Sequence, residues 1–148
     1  MFRGSSFHTI DPKGRIIIPA RFRDVIKASG ADSIMITRMD RCLFAYTQDE
    51  WSKLEQKILH LPEKSEAMRR FQRTFIGGAH DCRCDAQGRV LIPPFLKQYS
   101  GLGKEIVLVG VLDRFEIWSR ENWDKENGLA EKDMGNEQVR HEIAQLGL

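Results

Sequence analysis

A chain of 148 residues is long enough to bury one real core or two small half-domains and too short for the usual two-domain enzyme, which favours a compact binding protein. Its 41% hydrophobic and 30% charged content excludes wholesale disorder, and its longest apolar runs are strand-sized, which excludes a membrane-spanning helix. The net charge of +2 hides an asymmetry: six basic residues face two acidic ones from Met1 to Lys27, but four face seven from Ser119 to Leu148, so the two ends are expected to meet different partners.

Met1 to Ser5 opens no apolar run of signal-peptide length, and residence in the cytoplasm is expected. Cys42, Cys82 and Cys84 cannot all pair within one chain, so reduced thiols in a reducing compartment are the simplest reading.

In chain order, a strand leads into Asp11-Pro12-Lys13-Gly14, whose residue types suit a type I turn. Ile16-Ile17-Ile18 is continuous rather than alternating, which predicts a strand buried on both faces. Phe22, Val25 and Ile26 fall at helical spacing, Gly30 marks a loop, and Ile34 to Ile36 and Phe44 to Tyr46 read as strands. Thr47-Gln48-Asp49-Glu50 has the spacing of a capping box and opens a helix that Pro62 ends. A second helix from about Ser65 to Phe75 puts Met68, Phe71 and Phe75 on one face, with Arg69, Arg70 and Arg73 largely off it as a solvated stripe or subunit contact.

After Gly77-Gly78 the series begins again. Asp85-Ala86-Gln87-Gly88-Arg89-Val90-Leu91-Ile92-Pro93 repeats Asp11 to Pro19 at an offset of 74, which falls to 73 at Gly30 and Gly103 and to 72 at Trp51 and Trp123. A helix with Phe95, Leu96 and Tyr99 follows, then strands at Ile106 to Val109 and Phe115 to Trp118. Beyond Trp123 the chain is acidic and glycine-dotted, with one amphipathic helix using Val139, Ile143 and Leu146. The expected organisation is a first repeat over 1–53, a helical connection over 54–76, a second repeat over 77–124 and an acidic tail over 125–148. The fold class is α+β, mainly β, with two half-barrels closing against each other as one globular unit.

The repeated Asp-x-x-Gly-Arg carries the chemistry. An arginine directly after a tight turn projects from a hairpin tip, where its planar fork of donors can meet a phosphate or the O6 and N7 of guanine; Arg15 and Arg89 are the two such residues. Asp11 and Asp85 are positioned to accept backbone N–H bonds or to orient the guanidinium, while Gly14 and Gly88 make the turns. The other reading is a turn with a surface ion pair, but turn chemistry does not require arginine at that position twice. Lys13 has neutral Gln87 as its counterpart, so the two copies are chemically unequal.

The DxxxR spacing in both copies, the Met1-Phe2-Arg3-Gly4 start, the Gly-Arg-(Ile/Val)-x-Ile-Pro continuation and Gly77-Gly78-Ala79 together resemble the MraZ family over nearly the whole chain. That resemblance implies a duplicated swapped-hairpin barrel of the double-psi type, related to the AbrB-type regulators. It further implies a bacterial transcription factor, nucleoid-associated, that assembles as a closed ring and binds short direct repeats in double-stranded DNA upstream of its own operon in the division and cell-wall gene cluster. Arg3, Lys13, Arg15, Arg21 and Arg89 are the expected DNA contacts, with most of the contact in the first copy. Ring assembly reconciles this with modest charge, because phosphate contacts add up when several subunits touch one duplex.

No cofactor, small-molecule substrate or metal is expected. His80, Cys82 and Cys84 share one strand face, but their counterparts Ser6, His8 and Ile10 do not preserve a ligand set and no fourth ligand stands nearby. No nucleophile elbow, phosphate loop, zinc-protease helix or dinucleotide fingerprint occurs, so an enzyme is not expected. Two other classes stay open: an oligomeric scaffold that binds protein, and a small barrel enzyme using Asp11 or Asp85 in acid–base chemistry.

Overall fold

A computed structural model describes residues 1–148. The first repeat contributes β1 (Ser5–Thr9), β2 (Arg15–Ile17), α1 (Ala20–Ala28), β3 (Ser33–Met39) and β4 (Cys42–Thr47). Helices α2 (Gln48–Leu59) and α3 (Glu66–Phe75) follow. The second repeat gives β5 (His80–Arg83), β6 (Arg89–Leu91), α4 (Pro94–Ser100), β7 (Glu105–Gly110) and β8 (Phe115–Ser119), and α5 (Arg120–Asp133) and α6 (Glu137–Ala144) end the chain. No helix is long and apolar enough to cross a membrane.

The two repeats exchange strands. One antiparallel sheet runs β1-β7-β8-β4-β3-β5, so the opening strand of each repeat lies against the central hairpin of the other, Ser5 facing Val109 and Ser33 facing Arg83. Its order reads the same from either end when the repeats are interchanged, with the β4–β8 pair at the middle. This is a swapped-hairpin α+β fold built from a duplication. The barrel, however, is not closed: β1 and β5 remain sheet edges, and β2 with β6 forms a separate two-stranded ribbon.

The main core draws on both repeats. Ile16, Ile18, Phe22 and Ile36 from the first pack with Val90, Ile92, Leu96, Leu108 and Phe115 from the second, and Phe2, Phe22 and Phe115 meet with ring centroids 5.0 to 5.3 Å apart. Neither repeat could bury these residues alone. A second, aromatic cluster lies on the sheet's other face, where Trp51 of α2 and Phe75 of α3 stack at 5.6 Å over Phe44 and Tyr46. Thr47 caps α2 by accepting from the Glu50 amide at 3.3 Å, and Ser65 caps α3 at 3.1 Å from Met68.

Two sequence expectations are corrected here. The triplets at 16–18 and 90–92 are buried on one face only: Ile16, Ile18, Val90 and Ile92 point inward, while Ile17 is 53% exposed and Leu91 57%. The ribbon rests on the core by one side and leaves Ile17 and Leu91 largely open on the other. The tail holds two helices rather than one. Helix α5 has no apolar stripe to reveal it; Ser119 caps it at the Asn122 amide, and Arg120–Asp124 and Glu121–Lys125 pairs run along it. Neither α5 nor α6 contains a buried residue.

Candidate functional site

Each DxxxR segment forms the turn its residue types dictate. Gly14 N–H donates to the Asp11 carbonyl at 2.9 Å, and Gly88 N–H to that of Asp85 at 3.0 Å. Both glycines take the left-handed conformation, φ +87° and +75°, which favours glycine over any residue bearing a Cβ.

The carboxylates then hold everything around the turn. Asp11 Oδ1 accepts from the amides of Lys13 at 2.9 Å and Arg15 at 2.8 Å, while Oδ2 accepts from Arg15 Nε at 2.6 Å. Asp85 repeats the pattern with Gln87 N at 2.9 Å, Arg89 N at 2.8 Å and Arg89 Nε at 2.9 Å. The Arg15 and Arg89 amides, followed by the guanidinium bonds, keep the two carboxyls below the ordinary 3.8 for an aspartate, outweighing the opposing effect of desolvation. Both are therefore ionised acceptors at neutral pH, which disfavours a role as proton donor. Only Nε of each arginine is engaged, so the terminal amines of each fork stay available on a partly exposed side chain.

The arginines do not stand at hairpin tips as the sequence reading expects. Strand β2 pairs with β6 of the other repeat, Arg15 facing Leu91 and Ile17 facing Arg89, and the ribbon continues through Ile18 N–H to Gly88 O and Ile92 N–H to Gly14 O, each at 2.9 Å. The turns thus lie at opposite ends of one ribbon, roughly 13 Å of strand apart at about 3.3 Å per residue. Opposed residues share a face, so Arg15, Ile17, Arg89 and Leu91 together make the ribbon's outer side, the two aliphatic side chains more than half exposed and the two arginines partly so. A twofold-like platform with two oriented guanidinium forks and two apolar side chains can contact a regular polyanion, and a two-stranded ribbon matches the width of the B-DNA major groove. Lys13 is exposed at the first turn, Gln87 at the second.

Arg3 and Arg21 form a separate pair. Arg21 Nε donates to the Arg3 carbonyl and Nη2 to Ser6 Oγ, both at 3.4 Å, and the Arg21 guanidinium lies over the Phe22 ring. No hydrogen bond joins them to the Asp11–Arg15 turn. Burial first, and then Arg21, lowers the pKa of nearby His8, whose Nε2 is 2.7 Å from Ser6 Oγ.

His80 turns outward while Cys82 and Cys84 pack inward. His80 sits 5.0 Å from the Phe95 ring, Cys82 packs in the main core with its thiol pushed up to about 12 by burial, and Cys84 packs partly buried against that core. No three His, Cys, Asp or Glu side chains gather as metal ligands would. Sequence reasoning missed Ile17 and Leu91 as surface residues and also missed Arg23, whose side chain lies against Gly88. The alternate burial of neighbours in a three-residue aliphatic run leaves no mark in the residue types; for Arg23 the only hint is that its repeat counterpart, Lys97, is also basic.

Comparison with known proteins finds the same duplication. A family model described as "MraZ protein, putative antitoxin-like" matches twice, over residues 1–74 and 75–141. Proteins called transcriptional regulator MraZ align over the full length of both chains, with 62% identity in Desulforapulum autotrophicum and 55% in Desulfosudis oleivorans; one from Caldicellulosiruptor saccharolyticus is 40% identical, again end to end.

Proposed function

The chain belongs to the MraZ family, and on that footing we propose that it is a transcription regulator that binds double-stranded DNA sequence-specifically through its two DxxxR turns. The observation that carries this reading is the ribbon's outer face, where the partly exposed Arg15 and Arg89 are each oriented through Nε by a carboxylate and keep their terminal amines free of other bonds. Orientation before binding lowers the entropy lost on contact and suits bidentate recognition of guanine or phosphate. Arg3, Lys13 and Arg21 add phosphate contacts from the basic first 27 residues, which makes the first copy the stronger half of the site. The outcome is occupancy of short direct repeats upstream of its own operon, in the cytoplasm and on the nucleoid.

Several subunits act together as a closed ring, neighbours presenting the same surface head to tail, and this sums the modest charge of each chain over one duplex. Replacing Arg15 with Ala is expected to leave fold and assembly unchanged and to weaken binding to the upstream duplex by at least about 1 kcal/mol, the lower range for one bidentate contact. Fluorescence anisotropy at fixed salt measures this, and an unaltered titration curve would refute the reading. Arg89→Ala tells whether the second copy touches DNA, and light scattering tests the ring, which a micromolar monomer contradicts.

A further inference from the structure

The second turn lacks the cation of the first, since Gln87 stands where Lys13 does. A different basic residue lies there. Arg23 of α1, a first-repeat residue, runs across the second repeat's turn: a Cβ built on Gly88 would fall 2.0 Å from Arg23 Nη1 and 2.9 Å from its Cδ. The crossing follows from the ribbon. Ile18 N–H donates to Gly88 O, so the helix that starts two residues later begins beside the other repeat's turn. Gly88 provides the room, having no side chain at the point of contact.

The reciprocal crossing does not occur. Lys97 of α4 occupies the equivalent position, yet the same point at Gly14 has only Ile92 O at 3.6 Å and Leu91 Cδ1 at 3.8 Å within reach. Arg23 forms no ion pair, although Asp32 and Asp85 line the same cleft of about 270 Å³ with it. A half-buried guanidinium without a carboxylate partner keeps its full charge beside the turn, where a phosphate can supply the counter-charge.

We infer that Arg23 is a DNA-phosphate contact of the second turn, a cation lent by the first repeat that does there what Lys13 does at the first; this rests on the DNA-binding reading above. With Arg23 counted, each turn presents one carboxylate-held arginine and one unpaired cation. Arg23 reaches the turn from a helix at the ribbon's end and not from the ribbon's outer face, which directs it to the phosphate backbone flanking a groove rather than to base edges.

The test is anisotropy of the full-length protein on a labelled duplex from upstream of its own gene, and on a scrambled duplex, over a series of salt concentrations. Arg23→Gln is expected to weaken both duplexes alike and to make the log–log salt slope shallower by about 1 for each subunit engaged. Between about 50 and 200 mM salt, each lost contact then removes about 3.5-fold of the affinity change. Gln87→Lys in the Arg23→Gln background should restore the slope, and Arg23→Lys alone should keep it, since charge and not planar packing is what counts. Should Arg23→Gln fail to fold, Arg23→Met, which keeps the aliphatic stem and removes the charge, decides: a slope shallower by about 1 for each subunit supports the inference and an unchanged one overturns it. An unchanged slope in a folded Arg23→Gln, alongside the loss in Arg15→Ala, overturns the role of Arg23 alone. No preference of the wild type for the upstream duplex overturns the DNA-binding reading and this inference together.

Discussion

The two repeats agree at their turns and differ in what their last strands lead to. After β4, helices α2 and α3 bury Trp51 and Phe75 and build an aromatic layer over the sheet. After β8, α5 and α6 bury no side chain fully, although Ser119 caps α5 as Thr47 caps α2 and Trp123 matches Trp51 in the repeat. An N-cap and one tryptophan therefore start a helix without deciding how deeply it docks. Docking follows from the partners: Trp51 meets Tyr46 and Phe75, whereas Trp123 is partly buried and meets Trp118 at 5.9 Å.

The largest effect expected from breaking this difference is at Trp51. Trp51→Ala should cost about 3–5 kcal/mol of stability, in the range for deleting a buried aromatic, and Trp123→Ala about 1 kcal/mol. Equal midpoint shifts in urea would show that the two helical pairs contribute alike. The turns are next. Gly14→Ala forces a Cβ into the left-handed region and should cost about 1–2 kcal/mol. Gly88→Ala should cost a similar amount in stability but also displace the unbonded Arg23, and so weaken DNA binding where Gly14→Ala does not move that residue. Thermal melts measure the shared cost, and equal losses of DNA affinity in anisotropy titrations would remove the asymmetry between the turns.

Acid should affect both turns together. The Asp11 and Asp85 carboxyls are lowered in the folded state, so the stability they confer is present above the ordinary 3.8 and is lost as pH falls through their folded values. Below pH 4 the wild type should lose stability more steeply than a D11N/D85N double variant, as urea midpoints at several pH values will tell. The smallest effect belongs to the tail. Ending the chain at Met134 should change stability by under about 0.5 kcal/mol, because α6 buries no side chain; a larger loss would mean that it docks.

Much of this was legible in the sequence where the signal is local. The offset of 74 locates both turns, Asp and Gly at the first and fourth positions specify their geometry, and the capping box at Thr47 marks a helix start. Strand partners were not legible from periodicity, which assigns faces to a strand and says nothing about the neighbour it pairs with; only the family resemblance suggested the exchange, and it also implied a closed barrel that the sheet does not form. The outward turn of Ile17 and Leu91 was hidden because all three residues of each run are aliphatic. The contact of Arg23 with Gly88 was hidden because it joins residues 65 positions apart through a ribbon whose pairing had to be known first.

The exchange of opening strands also governs how the chain must fold. Ser5 waits for Val109, so β1 has no ladder partner until about three quarters of the polypeptide has been made. A nascent first repeat leaves the ribosome with Ile16, Ile18 and Phe22 still uncovered, since Val90, Ile92 and Phe115 complete their surroundings. Pairings this distant in sequence are slow to form and leave sticky intermediates meanwhile. Vectorial synthesis therefore offers this protein little head start, and its vulnerable period for misassembly with a neighbouring nascent chain lasts until β8 emerges.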